Sequence, residues 1–173
     1  MPGFELIGEE ERAAVNKLFD DGGILFAHGF DNMRNERYHV REFERQFADY
    51  LGVKYAQAVS SGTAALKIAL IALGVKPGDE VITQAFTFIA TAESIIDVGA
   101  KPVFVNINET LNMDPAELES AITDKTAAII PVHMLGVAAE QDEIHIIAKK
   151  YNLPVLDDAC ESLGAEWNGD KLG

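Results

Sequence analysis

Short apolar runs alternate with longer segments of helical periodicity along most of the chain. The runs have the length of buried strands, and the longer segments repeat apolar residues at the spacing of one helix face. This alternation predicts right-handed βαβ units, and therefore an α/β fold with a mainly parallel sheet sandwiched by helices. The predicted strands are a run ending at Val59 and residues 81–82, 102–105, 127–131 and 154–157, and the predicted helices are residues 9–18, 41–51, 63–73, 88–98, 115–122 and 141–151.

The first 40 residues follow a different pattern from the rest. A predicted helix at residues 9–18 is followed by residues 24–39, where aromatic, histidine and arginine side chains show no period. Long segments of this kind are often functional or disordered, and the aromatic residues favour an ordered loop. We therefore divide the chain into residues 1–40, an N-terminal helix with a substrate-side loop, and residues 41–173, the α/β domain.

A Ser/Gly turn separates the first predicted strand from the helix at residues 63–73, in which only Lys67 is charged. A helix that is apolar on every face is predicted to be buried. Such a turn at a helix N-terminus presents free N–H groups, hydroxyl donors and the positive end of the helix dipole, which together suit a phosphate. A serine cap without any ligand explains the same residues equally well. The turn consists of Ser60, Ser61, Gly62 and Thr63.

Ligands of parallel α/β sheets bind outside the carboxyl ends of the strands. This rule gathers residues 60–63, 83–88, 133–136 and 157–158 onto one rim of the predicted sheet. Asp157 and Asp158 follow an apolar run, and adjacent side chains of an extended strand point to opposite faces, so the two cannot both address one ligand. Such an acid could bind a metal, act as a base or pair with a protonated ring nitrogen. A surface acid that caps the next turn is the alternative.

Other residues on the rim have a structural and a functional interpretation. Phe86 and Phe88 flank Thr87, the predicted cap of the next helix. Aromatic residues at such positions commonly belong to the core, and one of them could instead stack on a flat cofactor. His133 fits a structural histidine better than a catalytic one, and Cys160 fits a small buried residue. No histidine or cysteine spacing in the sequence indicates a metal site.

Composition narrows the class of protein. The chain has 173 residues, 48% of them hydrophobic, and a net charge of −14, which argues against nucleic acid and anionic membrane surfaces as partners. It has neither a run of about 18 apolar residues nor a basic and apolar leader, so neither a membrane span nor a secretion signal is expected. Cys160 is the one cysteine, which rules out an internal disulfide and favours the reducing cytoplasm.

Several motifs follow one another in order: V-R-E-F-E-R-Q-F-A-D-Y-L-G-V-K, V-S-S-G-T-A-A-L, G-D-E-V-I-T-Q-A-F-T-F-I-A-T, G-A-K-P-V-F-V-N-I, I-I-P-V-H-M-L-G and L-P-V-L-D-D-A-C-E. Together they resemble the sugar aminotransferases of the DegT/DnrJ/EryC1/StrS group, which are fold-type I pyridoxal-phosphate enzymes. The similarity spans about residues 6–173. It implies that residues 41–173 are an incomplete, aspartate-aminotransferase-like large domain that binds the cofactor.

The resemblance assigns roles to residues of the rim. Gly62, Thr63 and Ala64 match the loop that holds the cofactor phosphate, and Phe88 matches the aromatic residue that stacks on the pyridine ring. Asp158 matches the aspartate that pairs with the pyridine nitrogen, and a carboxylate there keeps the nitrogen protonated and makes the ring a better electron sink.

The sequence departs from the family pattern in two places. Glu161 stands where the family usually has glutamine, or sometimes histidine, near the cofactor ring. The family's Schiff-base lysine lies in a motif of the S-F-H-x-x-K type, and no lysine of this chain has that context. The chain is therefore expected to be the N-terminal part of a larger enzyme and not to catalyse transamination by itself.

The resemblance implies amino transfer, with glutamate as donor, to a keto or aldehydo sugar. That sugar is either nucleotide-linked or an acidic octulosonate-type sugar of lipopolysaccharide. Arg34 and Arg37 could bind an anionic substrate or the donor carboxylate through paired hydrogen bonds, and balancing an acidic surface is the alternative. Family members are homodimers, so a homodimer is expected here.

The alternative is that the protein is a catalytically inactive family member, which binds a sugar or cofactor and acts as a regulator. A stand-alone nucleotide-binding domain is disfavoured because the sequence contains neither G-x-G-x-x-G nor G-x-x-x-x-G-K-[ST].

Overall fold

Two units, Met1–Ala58 and Val59–Gly173, make up the chain in the computed structural model, which describes residues 4–173. The division that the sequence predicts after residue 40 falls inside a helix of the first unit, His39–Leu51, and does not coincide with the structural boundary. The second unit contains all the residues that the sequence assigns to the rim, so its architecture positions the site.

Two helices dominate the first unit, and both confirm predicted helices. Helix α1 spans Glu9–Asp20, and Glu11 in its first turn accepts a hydrogen bond from the backbone that precedes the helix. Helix α2 spans His39–Leu51 and ends at Gly52, whose φ of 73° lies in the left-handed region that glycine adopts without strain. A short 3-10 helix, Asp31–Met33, lies in the segment between the two helices.

Three parallel strands form the sheet of the second unit: β1 (Glu80–Gln84), β2 (Lys101–Val105) and β3 (Thr126–Ile130). Their order in the sheet is β2-β1-β3, so β1 is the central strand and pairs in parallel with both neighbours. The predicted parallel sheet is confirmed, as are the three strands that compose it.

Helices cover both faces of this sheet, as predicted. Helices α3 (Gly62–Ala72) and α4 (Ile89–Asp97) pack on one face, and α5 (Pro115–Ala121) and α6 (Gln141–Tyr151) pack on the other. Adjacent residues of a strand point to opposite faces, so β1 supplies one core residue to each layer in turn. The cores are Leu70, Val75, Val81, Ile95, Ala100, Ala128 and Ile130 on the α3–α4 side, and Ile82, Val105, Met113, Leu118, Ile129, Ala139, Ile144 and Ala148 on the α5–α6 side.

Two of the predicted strands are not formed within the described residues 4–173. Residues 55–59 lie in irregular backbone. Residues 154–157 also form no continuous strand, although isolated parallel bridges join Ile129 to Val155 and Val132 to Asp158. An apolar run becomes a strand only where a neighbouring strand can pair with it along its length, which local sequence does not encode.

Helix α3 is not buried on every face, contrary to the prediction. Leu66 and Leu70 are buried, whereas Ile68 and Ile71 are 52% and 58% exposed. A helix packed against one sheet buries a single stripe, and the outer side of α3 is left uncovered within the second unit. Among the helices of those residues, none combines the length and the apolar character that crossing a membrane requires.

A hairpin of two short antiparallel strands, β4 (Glu166–Trp167) and β5 (Asp170–Lys171), lies near the end of the chain. Asn168 and Gly169 connect the strands with φ values of 52° and 94°. Two left-handed residues in a two-residue turn match the right-handed twist of a hairpin, so the turn predicted from Asn-Gly is confirmed.

Candidate functional site

The N-terminus of α3 presents two backbone donors. Ser61 caps the helix, because its hydroxyl accepts the N–H of Ala64 at 3.1 Å and its carbonyl accepts the N–H of Ala65 at 3.0 Å. The N–H groups of Gly62 and Thr63 have no acceptor within their own helix, and no hydrogen-bond partner among residues 4–173 takes them. Two free donors at the positive end of a helix dipole are suited to a phosphate or another anion. Of the predicted phosphate loop, only Ala64 has its N–H already occupied.

Asp158 is held rigidly at the carboxyl end of β3. Its N–H donates to the carbonyl of Pro131 and its carbonyl accepts the N–H of His133, both at 3.0 Å. The side chain is 6% exposed, and Oδ2 accepts the hydroxyl of Thr91 at 2.9 Å while Oδ1 accepts the N–H of Cys160 at 3.3 Å. One donor on each oxygen fixes the plane of the carboxylate and leaves each oxygen a further acceptor position.

The helix N-terminus and the Asp158 segment meet directly. A β-carbon on Gly62 would lie 3.2 Å from the sulfur of Cys160, and Cys160 follows Asp158 by two residues. Only a glycine lets the two segments approach this closely without displacing the sulfur. The free N–H groups and the carboxylate therefore lie on the same rim of the sheet, where the sequence places them.

Phe88 is the N-cap residue of α4 and is 69% exposed, and Phe86 is 42% exposed. The core role that the sequence leaves open for these two residues is therefore wrong. An exposed ring at the rim that packs against no other aromatic ring in the described residues is available to stack on a flat ligand.

Thr87 does not cap α4 through its side chain, contrary to the prediction. Its hydroxyl lies 2.9 Å from the hydroxyl of Thr91, one helical turn further along, and 3.3 Å from the carbonyl of Phe88. Thr91 is fully buried and connects this pair to Asp158. Thr91 was not among the predicted site residues, and its position four residues after Thr87, at the start of the predicted helix, was the available signal.

Asp157 faces away from Asp158 and has different partners. Its Oδ1 accepts hydrogen bonds from Gln141 at 3.0 Å and from Nε2 of His133 at 3.3 Å. Burial opposes ionisation of Asp157, but the hydrogen bonds from His133 and Gln141 outweigh it and hold the pKa of the carboxyl below its ordinary value. The prediction that the two carboxylates address different surroundings is confirmed.

His133 is a fully buried, hydrogen-bonded histidine. Its Nδ1 accepts the N–H of Ala139 at 3.0 Å, and because a backbone N–H can only donate, the neutral ring carries its proton on Nε2, which faces Asp157. This geometry confirms the structural interpretation. No group of histidine, cysteine and carboxylate side chains within residues 4–173 is arranged to hold a metal ion.

Gln84 is a second residue that the sequence analysis missed. It is fully buried at the end of β1, and its carbonyl oxygen accepts the N–H groups of Met113 and Val132 at 3.0 and 3.1 Å. Its amide donates to the carbonyls of Phe86 and Leu111 at 2.9 and 3.3 Å. One side chain thus joins three rim segments, and a glutamine at the end of an apolar strand was the available signal.

Cys160 is exposed, so the prediction of a buried cysteine is wrong. Partial burial of its sulfur and the adjacent Asp158 carboxylate raise the pKa of the thiol to about 11. Glu161 is also exposed, and its Oε2 accepts the N–H of Leu135 at 3.1 Å. Glu161 thereby anchors the turn after β3, and its contact with a cofactor remains a prediction.

Arg34 and Arg37 lie in the first unit, and both have partners there. Arg34 is 7% exposed and donates to the carbonyls of Phe26, His28 and Gly29. Arg37 forms an ion pair with Asp21. In this conformation Arg34 holds its own loop together, and binding of a substrate by either arginine remains a prediction.

The fold and this geometry define a class, namely an α/β domain whose rim combines two free N–H groups at a helix N-terminus, an exposed aromatic ring and a fixed carboxylate. The model of the DegT/DnrJ/EryC1/StrS aminotransferase family matches residues 11–173. The chain belongs to this family.

Two curated relatives and one solved structure illustrate the similarity. A UDP-2-acetamido-2-deoxy-3-oxo-D-glucuronate aminotransferase of Pseudomonas aeruginosa is 51% identical over 133 residues, covering 76% of this chain and 37% of the relative. A pleiotropic regulatory protein of Geobacillus stearothermophilus is 49% identical over 146 residues, covering 82% of this chain and 39% of the relative.

The solved structure is a GDP-4-keto-6-deoxymannose-3-dehydratase with a trapped PLP-glutamate geminal diamine. It is 34% identical, with a TM-score of 0.83 over 96% of this chain and 42% of its own. The chain therefore spans about two fifths of the length of the proteins it matches.

Proposed function

We propose that this chain forms the cofactor-binding part of a pyridoxal-phosphate enzyme that transfers an amino group to a keto sugar. One observation carries the proposal, namely that the free N–H groups of Gly62 and Thr63 and the fixed carboxylate of Asp158 meet on one rim through the contact between Gly62 and Cys160. Membership of an aminotransferase family supports the same activity.

The residues of the rim fit each part of this cofactor. The two N–H groups at the start of α3 suit its phosphate, the exposed ring of Phe88 suits the face of its pyridine ring, and the carboxylate of Asp158 suits a protonated ring nitrogen. When bound, pyridoxal phosphate supplies the electron sink that stabilises a carbanion at the reacting carbon.

Each residue has a distinct task in this proposal. Gly62 and Thr63 donate hydrogen bonds to the phosphate and anchor the cofactor. Phe88 excludes water from one face of the ring. Asp158 holds a proton on the ring nitrogen, because an adjacent carboxylate favours the charged form. Its hydrogen bonds to Thr91 and to the backbone of Cys160 keep it oriented for this task.

We propose a nucleotide-linked keto sugar as the amino acceptor and glutamate as the donor. The names of the relatives support this choice, because the Pseudomonas protein is named for a UDP-linked 3-oxo-glucuronate and the dehydratase structure holds a PLP-glutamate adduct. An octulosonate-type sugar of lipopolysaccharide is the alternative acceptor. Arg34 and Arg37 are the proposed contacts to an anionic group, provided that their present partners are exchanged.

No lysine within residues 1–173 has the S-F-H-x-x-K context. We therefore propose that the lysine bound to the cofactor lies outside these residues in the whole protein. The experiment uses that whole protein, loaded with pyridoxal phosphate. Glutamate should change the absorbance of the bound cofactor, and a UDP- or GDP-linked keto sugar should restore it. Failure of the protein to retain the cofactor, or retention without a response to any amino donor, overturns the proposal.

A regulator that binds the cofactor or a sugar is the second candidate, supported by the name of the Geobacillus relative. It predicts that the whole protein retains the cofactor or binds a nucleotide sugar, and that the absorbance is unchanged by glutamate. The same absorbance experiment therefore separates the two functions.

We further propose a homodimer acting in the cytoplasm. The exposed apolar side chains of α3, Ile68 and Ile71, support a subunit contact on that face, and the single cysteine supports a reducing compartment. Sedimentation equilibrium of the whole protein tests the dimer, and Ile71→Asp should shift it toward the monomer.

A further inference from the structure

We propose that the hydroxyls of Thr87 and Thr91 form a reversible hydrogen-bond chain that orients the Asp158 carboxylate and links its protonation to the backbone of Phe88. The proposal rests on the proposed function, since it gives Asp158 the ring nitrogen as its partner. Thr91 and Thr87 touch no cofactor atom in this account, and both are positioning residues.

The hydrogen-bond chain is continuous in the structure. Thr91 Oγ1 lies 2.9 Å from Asp158 Oδ2, Thr87 Oγ1 lies 2.9 Å from Thr91 Oγ1, and the carbonyl of Phe88 lies 3.3 Å from Thr87 Oγ1. Thr91 is fully buried, so water cannot replace its bonds. Its N–H also bonds the carbonyl of Phe88 at 3.2 Å, which anchors the threonine in the first turn of α4.

The number of protons available fixes the direction in which each hydrogen bond points when Asp158 is ionised. A carboxylate can only accept, so the hydroxyl proton of Thr91 points to Asp158. The oxygen of Thr91 then accepts, and the hydroxyl proton of Thr87 must point to it rather than to the carbonyl of Phe88. Two aligned hydroxyl dipoles stabilise the negative charge, and the positive end of α4 adds to the effect.

Protonation of Asp158 allows all three hydrogen bonds to point in the opposite direction. The carboxyl group then donates to Thr91, Thr91 donates to Thr87, and Thr87 donates to the carbonyl of Phe88. Every hydroxyl keeps a partner in both directions, so reversal leaves no buried group unsatisfied. The protonation state of Asp158 is thereby coupled to the hydrogen bonding of the backbone carbonyl of Phe88, whose ring is proposed to face the cofactor.

The inference predicts that Thr91 controls the protonation of the cofactor nitrogen. Pyridoxamine 5′-phosphate labelled with ¹⁵N in the ring is the probe, because it binds without a lysine. At one fixed pH, the ¹⁵N chemical shift of the bound ring reports its protonated fraction, and equilibrium dialysis gives its Kd. Thr91→Val should weaken binding on the order of tenfold, the equivalent of one lost hydrogen bond to a charged group, and move the ¹⁵N shift toward the unprotonated ring.

Thr91→Ser keeps the hydroxyl and should retain the wild-type ¹⁵N shift. Thr126→Val is the matched control, because it removes a hydroxyl that bonds the backbone of Thr123 at the other end of β3 and should leave both measurements unchanged. Circular dichroism and thermal unfolding verify that the variants fold. If Thr91→Val does not fold, Thr87→Val decides, since it breaks the chain at the exposed end and should move the ¹⁵N shift in the same direction by a smaller amount.

The outcomes separate this inference from the proposed function. A wild-type protein that does not bind the probe overturns the proposed function. Wild-type binding combined with an unchanged ¹⁵N shift in Thr91→Val, or in Thr87→Val where that variant decides, overturns the hydrogen-bond chain alone. The hydrogen-bond chain is also overturned if Thr91→Ser changes the Kd and the ¹⁵N shift as much as Thr91→Val does. In that case the packing of the side chain, and not its hydroxyl, is responsible.

Discussion

The sulfur of Cys160 lies 3.2 Å from the position that a β-carbon on Gly62 would occupy. This contact brings the start of α3 against the segment that carries Asp158, and it makes the size of residue 62 a property of the site. A methyl group there must push the sulfur aside by a few tenths of an ångström. The exposed thiol can rotate away, so the cost in folding is small.

Gly62→Ala should therefore lower the free energy of unfolding by no more than about 1 kcal/mol, and Gly62→Ala with Cys160→Ala should remove that cost. Binding of pyridoxamine phosphate should weaken in both variants, because the new methyl group lies beside the free N–H groups. Urea unfolding and equilibrium dialysis measure the two quantities. A double variant that binds as well as the wild type contradicts the placement of the phosphate.

Asp158→Asn should keep the fold and bind the ligand more weakly. The amide oxygen can still accept the N–H of Cys160, and the amide nitrogen can donate to the hydroxyl oxygen of Thr91. The change in unfolding free energy should therefore stay below about 1 kcal/mol. The negative charge beside the ring nitrogen is gone, and binding of pyridoxamine phosphate should weaken by about tenfold or more. Unchanged binding and unchanged turnover of the whole protein contradict the assigned role.

Asp157 should make stability depend on pH in the acid range. Its pKa is lower in the folded chain than the ordinary value of 3.8, and such a carboxyl contributes stability that is present above the unfolded pKa and is lost as the pH falls through the folded pKa. The wild type should exceed Asp157→Asn in unfolding free energy near neutral pH, and the difference should shrink as the pH falls below 3.8 and vanish below the folded pKa. Urea unfolding across this range measures it, and a difference that grows on acidification contradicts the sign.

Cys160 should react slowly with iodoacetamide although it is exposed. A pKa raised from 9.0 to about 11 makes the thiolate fraction at neutral pH about a hundredfold smaller than in an unperturbed cysteine. The rate should rise with pH up to about 11, and the urea-unfolded chain should react faster at neutral pH. Asp158→Asn should accelerate the folded protein, because the carboxylate that raises the pKa is absent.

Gln84 should be among the residues whose loss costs most stability. Gln84→Met keeps the shape but removes four hydrogen bonds to backbone groups, and it should lower the free energy of unfolding by about 3 kcal/mol. Gln46→Met is the matched control. Gln46 is exposed, and the only partner of its side chain among the described residues is Glu42. Its replacement should therefore change stability by less than about 0.5 kcal/mol. Equal effects of the two substitutions contradict the joining role of Gln84.

Local signals account for the helices that the sequence predicts correctly. Asp114 accepts the N–H of Ala116 at 2.9 Å and Pro115 follows it at the first helical position, so α5 begins where the capping residues indicate. Gly52 ends α2 for an equally local reason. The failed predictions depend instead on contacts that form only in the folded structure. Thr87 resembles a cap in sequence, but its hydroxyl is taken by Thr91, a bond that exists only once α4 has formed.

Periodicity, caps and turn residues are properties of neighbouring residues, so the sequence by itself determined the parallel α/β class, the approximate extents of the helices and the rim on which the candidate residues lie. Pairing and packing join residues far apart in the chain, and only the tertiary structure decided them. It left the outer face of α3 and the ring of Phe88 exposed, and it bonded Asp158 to Thr91, which precedes it by 67 residues. Such contacts depend on how the layers close around the sheet, and that closure is not encoded in any single segment.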